Sequence, residues 1–231
     1  MHAPTLHDSD RKRRALLLDF DGTLADTLPG LRRTYADFLA EIAAEDKAPT
    51  FEQANGANLF ELIRSLAEKF APHRDAEKEW QTYWTRVEEA VGLSLPSPGA
   101  RELIGWARDR DWLIGIGSAS RTPVIQAWLA RHDLTAAIDC VVGADQCRAS
   151  KPDPEIYNRL VESLNADRQN CIVVEDSRSG IESATRAGLD VIWLTESRAP
   201  DILPPKIACF ARDLDAALRY IRQRFEPGRG S

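Results

Sequence analysis

Cysteine is scarce: the chain has 231 residues and four thiols, Cys140, Cys147, Cys171 and Cys209, none in a C-x-x-C spacing. That pattern excludes a disulfide-stapled scaffold and offers no paired-thiolate metal motif. Long apolar runs are missing too, and none approaches the ~18 residues that suggest a membrane-spanning helix. The opening Met-His-Ala-Pro-Thr-Leu-His-Asp-Ser-Asp lacks the charged-then-apolar order of a secretory leader. A cytoplasmic location is therefore the expectation. Positive charge is not in excess: 30 Lys and Arg stand against 36 Asp and Glu, a net charge of −6. Nucleic acid and anionic membrane surfaces are recognised by clustered cations, so neither is an expected partner. The basic run Arg11-Lys12-Arg13-Arg14 sits beside an apolar segment and reads as a solvated strand edge. Internal repeats are absent. With 43% hydrophobic and 29% charged residues, the chain is neither disordered nor fibrous.

What is present is a regular alternation. Ala15-Leu16-Leu17-Leu18-Asp19-Phe20 is a short apolar run closed by Asp21-Gly22-Thr23, the pattern of a buried strand ending in a loop. Further runs at 112–117, 138–142, 171–174 and 191–194 are separated by amphipathic segments at 100–109, 123–131, 154–164 and 180–187. A last amphipathic helix is expected over 213–225. Strands alternating with helices predict a parallel, Rossmann-like α/β sheet, and runs without polar alternation suit strands covered on both faces. Between Thr27 and Leu95 the pattern changes. Leu28, Leu31, Tyr35, Phe38, Leu39 and Ile42 recur at helical steps, followed by stripes through Phe60–Phe70 and Trp80–Val91. The expected organisation is a core of residues 1–26 and 96–231 with an all-helical insert over 27–95.

Sites in open α/β sheets lie outside the carboxyl ends of the strands. The residues found there are Asp19 and Asp21, then Ser118, then Glu175 and Asp176, with Lys151 ahead of its helix. Four carboxylates gathered on one rim repel one another and require a cation. Oxygen-only ligation favours a hard metal, Mg²⁺ above all. One aspartate of the first pair is placed to attack an electrophile while the other handles the proton. Backbone N–H groups around Gly22 and Ala119, with Ser118 and Lys151, would cradle a phosphoryl group. The residues themselves thus point to metal-assisted phosphoryl transfer through an aspartyl-phosphate.

The set Asp19-Phe20-Asp21-Gly22-Thr23-Leu24, Ser118, Lys151-Pro152-Asp153-Pro154 and Glu175-Asp176-Ser177-x-x-Gly180 resembles the haloacid-dehalogenase-like (HAD) hydrolase superfamily, with all four motifs in order. The resemblance implies a small α-helical cap formed by the insert. It implies Asp19 as nucleophile and Asp21 as general acid/base and, through its carbonyl, metal ligand. Ser118 would bind phosphoryl oxygens, Lys151 would join phosphate and nucleophile charge, and Asp176 would ligate Mg²⁺ with Glu175 alongside. The family's dehalogenases lack the second aspartate, so Asp21 points to a phosphatase acting on a small phosphorylated metabolite.

Phosphoglycolate and sugar phosphates are the expected substrate types. Ala25-Asp26-Thr27-Leu28-Pro29-Gly30-Leu31 is similar to phosphoglycolate-phosphatase-like members, whereas Gly117-Ser118-Ala119-Ser120-Arg121 is closer to the mutase and sugar-phosphatase branch. The alternative reading is a β-phosphoglucomutase-like isomerase. Such members carry a histidine where this chain has Leu31, and a cap arginine where counting from Gly56 gives Leu59. A nucleotide phosphatase, with Trp80 or Trp84 stacking on a base, and a non-catalytic binding module are more distant alternatives. Asn58, in an Asn- and Gly-rich interruption of the helical pattern, and Arg121, beside the second motif, are the candidate substrate contacts. Either a monomer or a homodimer is compatible with the chain.

Overall fold

The structure, a computed structural model, describes residues 13–54, 59–195 and 205–226. Six parallel strands form one sheet in the order β3-β2-β1-β4-β5-β6. They are β1 Ala15–Leu18, β2 Leu113–Gly117, β3 Cys140–Val142, β4 Cys171–Glu175, β5 Asp190–Leu194 and β6 Ile207–Ala211. Helices α5 Ala100–Arg108, α6 Thr122–Arg131, α7 Glu155–Ser163, α8 Arg178–Arg186 and α9 Leu214–Phe225 connect and cover them. Leu16, Leu18, Ile114, Ile116, Ile172 and Val174 pack on one face of the sheet. Ala15, Leu17, Val173 and Val191 pack on the other. Because both faces are covered, the strands can be apolar at every position, which is why their sequence shows no alternation.

Register sets the height of the rim. Leu18 lies opposite both Ile116 and Val174, and the Asp19 N–H donates to the Val174 carbonyl at 3.0 Å. The residues leaving β1, β2 and β4 therefore emerge side by side. β3 begins at Cys140 rather than Ile138, because Thr135–Ala137 closes into a 3₁₀ turn first.

Among the described residues, four helices lie between β1 and α5: α1 Leu28–Glu41, α2 Phe51–Ala54, α3 Leu59–Phe70 and α4 Ala76–Leu93. Asp75 caps α4 by accepting from the Glu77 and Lys78 N–H groups. Phe38, Ile63, Tyr83 and Val87 form the interior of this layer. The two segments joining it to the sheet run side by side: the Asp26 N–H donates to the Leu95 carbonyl and the Ser97 N–H to the Leu24 carbonyl, each at 2.9 Å.

Candidate active site

Gly22 shapes the loop after β1. Its φ of +84° is left-handed, and a Cβ there would come within 2.5 Å of Asp176 Oδ2. The loop closes through the Ala25 N–H to the Phe20 carbonyl and the Gly22 N–H to the Ala25 carbonyl, each at 2.9 Å. Asp21 is thereby turned back over the end of β1, where its Oδ2 accepts from Ser118 Oγ at 3.0 Å and from Ser120 Oγ at 2.6 Å. Its Oδ1 is buried with no hydrogen-bond partner among the described residues. Burial pushes the Asp21 carboxyl upward, and the two serine hydroxyls oppose that shift.

Lys151 joins the rim from the loop before α7, across a cis peptide bond to Pro152. Its ammonium donates to Asp19 Oδ1 and Glu175 Oε1, both at 2.6 Å, and to the Gly117 carbonyl at 3.1 Å. A lysine has three N–H donors, so all of them are satisfied. Burial alone would lower the Lys151 pKa; the Asp19 and Glu175 carboxylates outweigh it and raise the value well above the usual lysine range. Burial, reinforced by Glu175, pushes the Asp19 carboxyl well above its ordinary range, while Lys151 pulls the other way.

Glu175 is fully buried and all of its bonds are internal. Oε1 also accepts from Tyr157 OH at 3.3 Å, and Oε2 accepts from the Ser177 N–H and Oγ at 2.8 and 3.0 Å. Ser177 in turn caps α8 by accepting from the Gly180 N–H at 3.0 Å. Next to Glu175, Asp176 Oδ1 accepts from Thr23 Oγ1 at 3.3 Å. Burial, then the Glu175 carboxylate, raises the Asp176 carboxyl to about 7.

Oxygens of Asp19, Glu175 and Asp176 lie within 4.8 Å of one another. Three carboxylates at that spacing, against the single ammonium of Lys151, form an oxygen donor set suited to a hard cation. The residues present fit a metal ion.

Asp19, Asp21, Ala119, Ser120, Lys151, Ser177 and Ser179 share a cleft of about 420 Å³ with side chains from the helical layer. The sequence-derived residues Asp19, Asp21, Gly22, Ser118, Ala119, Lys151, Glu175 and Asp176 thus converge on one rim. Arg121 does not join them. Its guanidinium lies 3.6 Å from Glu88 of α4, in a separate groove with Pro123, Val124 and Arg131; Arg121 is the N-cap residue of α6. Asn58, with Asn55 and Gly56, lies outside the described residues. Ser120, Tyr157 and Thr23 support the carboxylates without having been singled out. For Ser120 the available signal was a second hydroxyl two residues after Ser118, and for Thr23 its place in the first motif; Tyr157 carries none.

A parallel sheet that gathers its carboxylates and a lysine at one rim, beneath a separate layer of helices, defines a capped Rossmann-like hydrolase. The haloacid dehalogenase-like hydrolase profile matches residues 16–194. The chain belongs to that family. It is 30% identical over 186 residues to a phosphorylated carbohydrates phosphatase of Thermotoga maritima, covering 78% of this chain and 83% of the relative. It is 26% identical over 181 residues to the fructose-1-phosphate phosphatase YqaB of Escherichia coli, covering 77% and 94%. Among solved structures, a HAD hydrolase of family IA, variant 3, from Entamoeba histolytica superposes with a TM-score of 0.74 at 22% identity, covering 90% of this chain and 99% of that one. The protein is an enzyme of the family's phosphatase branch.

Proposed function

We propose that the protein is a Mg²⁺-dependent phosphomonoester hydrolase acting on a small phosphorylated metabolite through an aspartyl-phosphate on Asp19. The observation that carries this reading is the buried Lys151 ammonium, held 2.6 Å from both Asp19 Oδ1 and Glu175 Oε1 at the wall of a cleft that also admits Asp21. In this reading the helices within residues 27–95 act as a cap over a core of residues 1–26 and 96–231.

An Asp19 carboxylate oxygen attacks phosphorus, and the bond from phosphorus to the ester oxygen breaks. Asp21 delivers its proton to the departing alkoxide. Asp21 then accepts a proton from water as that water attacks the phosphorylated aspartate, releasing inorganic phosphate and restoring Asp19. Ser118 and the N–H groups around Gly22 and Ala119 orient the phosphoryl oxygens, and Lys151 balances their charge. Asp19, Asp176 and the Asp21 carbonyl would hold Mg²⁺, with Glu175 alongside. Bound there, the ion supplies electrostatic stabilisation of phosphoryl charge and favours the ionised form of Asp19. The mutase reading has less support, since the aliphatic Leu31 occupies the cleft wall and cannot control a proton.

The test is phosphate release from a panel of phosphoglycolate, hexose and pentose phosphates and nucleoside monophosphates with Mg²⁺. Release that disappears with chelator and in Asp19→Asn is expected. A wild type that releases nothing, or an Asp19→Asn variant that remains active, overturns the proposal.

A further inference from the structure

The cleft has two unlike walls. The sheet side supplies Asp19, Asp21, Ser120, Lys151 and Ser177, and the helical side supplies Leu31, Phe51, Leu59, Trp84 and Val87. Of those five, Leu31, Phe51, Leu59 and Trp84 are only half-buried, in a layer that fully encloses Phe38 and Ile63. Trp84 is fixed in orientation by Trp80, whose ring stacks on it at 5.4 Å and 29°. Tyr35 and Trp84 on this wall have their polar atoms engaged, and Tyr83, which also lines it, is buried. Tyr35 OH donates to the Pro49 carbonyl at 2.9 Å, and Trp84 Nε1 donates to Glu88 Oε1 at 2.9 Å.

No charged side chain lines the helical wall among the described residues. Arg32 pairs with Glu52 and lies over the Phe51 ring at 5.0 Å, and Arg121 faces Glu88 in another groove. A carboxylate-tailed ester would have to shed water there without a cation to receive it. A polyol would bring several hydroxyls to a wall whose one uncommitted hydroxyl among the described residues is that of the buried Tyr83. Both arrangements are costly. An aromatic ring instead gains dispersion and removes apolar surface from water. The volume of about 420 Å³ falls within the range of small-molecule pockets, about 300–1,000 Å³.

We propose that the preferred substrate is a phosphomonoester whose leaving group is an apolar, ring-bearing body, an aryl or arylalkyl alcohol seated on Leu31, Phe51, Leu59, Trp84 and Val87. The proposal rests on the phosphatase reading above and narrows its substrate class.

The test compares benzyl phosphate and 2-phenylethyl phosphate with glycerol 3-phosphate, fructose 1-phosphate, phosphoglycolate and a nucleoside monophosphate. All release an alkyl alcohol, so seating of the body, more than leaving-group reactivity, is compared. A kcat/KM at least about tenfold higher for the ring-bearing esters is expected, with that ratio falling about tenfold in Trp84→Ala. Benzylphosphonate should inhibit the wild-type enzyme more tightly than methylphosphonate by a similar factor, a comparison that needs no variant. Preference for a polyol, carboxylate or nucleoside ester, or equal inhibition by the two phosphonates, overturns the proposal. Acetyl phosphate separates the two readings. If it is hydrolysed while polyol esters win, only the substrate class falls; if neither it nor any ester is hydrolysed, the phosphatase reading falls with it.

Discussion

Ser120 Oγ lies 2.6 Å from Asp21 Oδ2, a shorter hydrogen bond than the 3.0 Å from Ser118. The Ser118 hydroxyl also accepts from the Ser120 N–H at 2.9 Å, so the turn after β2 delivers two hydroxyls to one carboxylate oxygen. Both bonds favour the ionised form of Asp21 against a burial that disfavours it. Burial already outweighs them, and removing one leaves it less opposed.

Ser120→Ala is therefore expected to raise the Asp21 pKa. The limb of the kcat profile in which Asp21 must be ionised, as base toward water, then moves to higher pH. A fall in kcat of about tenfold is expected from the lost orientation of Asp21, and Ser120→Thr should restore the limb. A pH–rate profile whose limb stays in place in the alanine variant would exclude this role.

Gly180 lies in the first turn of α8, and a Cβ at that position would overlap the Glu175 carboxylate. Glu175 has no room to withdraw: it is enclosed by Lys151, Tyr157 and Ser177, and it is fully buried. Gly180→Ala would remove backbone freedom from the unfolded chain, a small gain, but it forces a buried charged network apart. A net loss of about 2–4 kcal/mol in unfolding free energy is expected, read by denaturant titration. Stability equal to wild type would show that the carboxylate can move aside.

Much of this arrangement was legible because it depends on local pattern. Buried strands such as Leu113–Gly117 read as unbroken apolar runs, and the residues leaving them sit where a parallel sheet presents its rim. β6 was not foreseen: Ile207-Ala-Cys-Phe-Ala is short, follows Pro204-Pro205, and becomes a strand only by pairing with β5, as in Ile192 opposite Cys209. Tyr157 belongs to the buried stripe of α7 with Ile156, Leu160 and Val161. That periodicity marks it as core and cannot reveal a hydroxyl 3.3 Å from Glu175. Trp80 and Trp84 share one helical stripe, yet Trp84 alone of the two is on the cleft wall. The direction depends on how α4 is rotated against α1 and α3, a tertiary fact.

The carboxylate cluster also sets how stability and metal binding depend on pH. Asp176 is held up to about 7, and Asp19 and Asp21 are raised as well. An acid with a higher pKa folded than unfolded keeps its proton longer in the native state. Its contribution to stability is fully present below the unfolded value, about 4, and is lost as pH rises through the folded one. For Asp176 that window runs from about 4 to about 7. The metal-free protein should lose stability across it, beyond what its other titrating groups contribute. A divalent cation binds the ionised carboxylates, so it must displace protons at low pH and needs to displace fewer at high pH. Mg²⁺ is accordingly expected to raise Tm more at pH 8 than at pH 5.5. In calorimetry near pH 6.5, the heat of Mg²⁺ binding should vary with the ionisation enthalpy of the buffer, the signature of released protons. Asp176→Asn should remove most of that proton release. A thermal shift that is the same at both pH values, with a binding heat independent of buffer, would place Mg²⁺ binding away from this cluster.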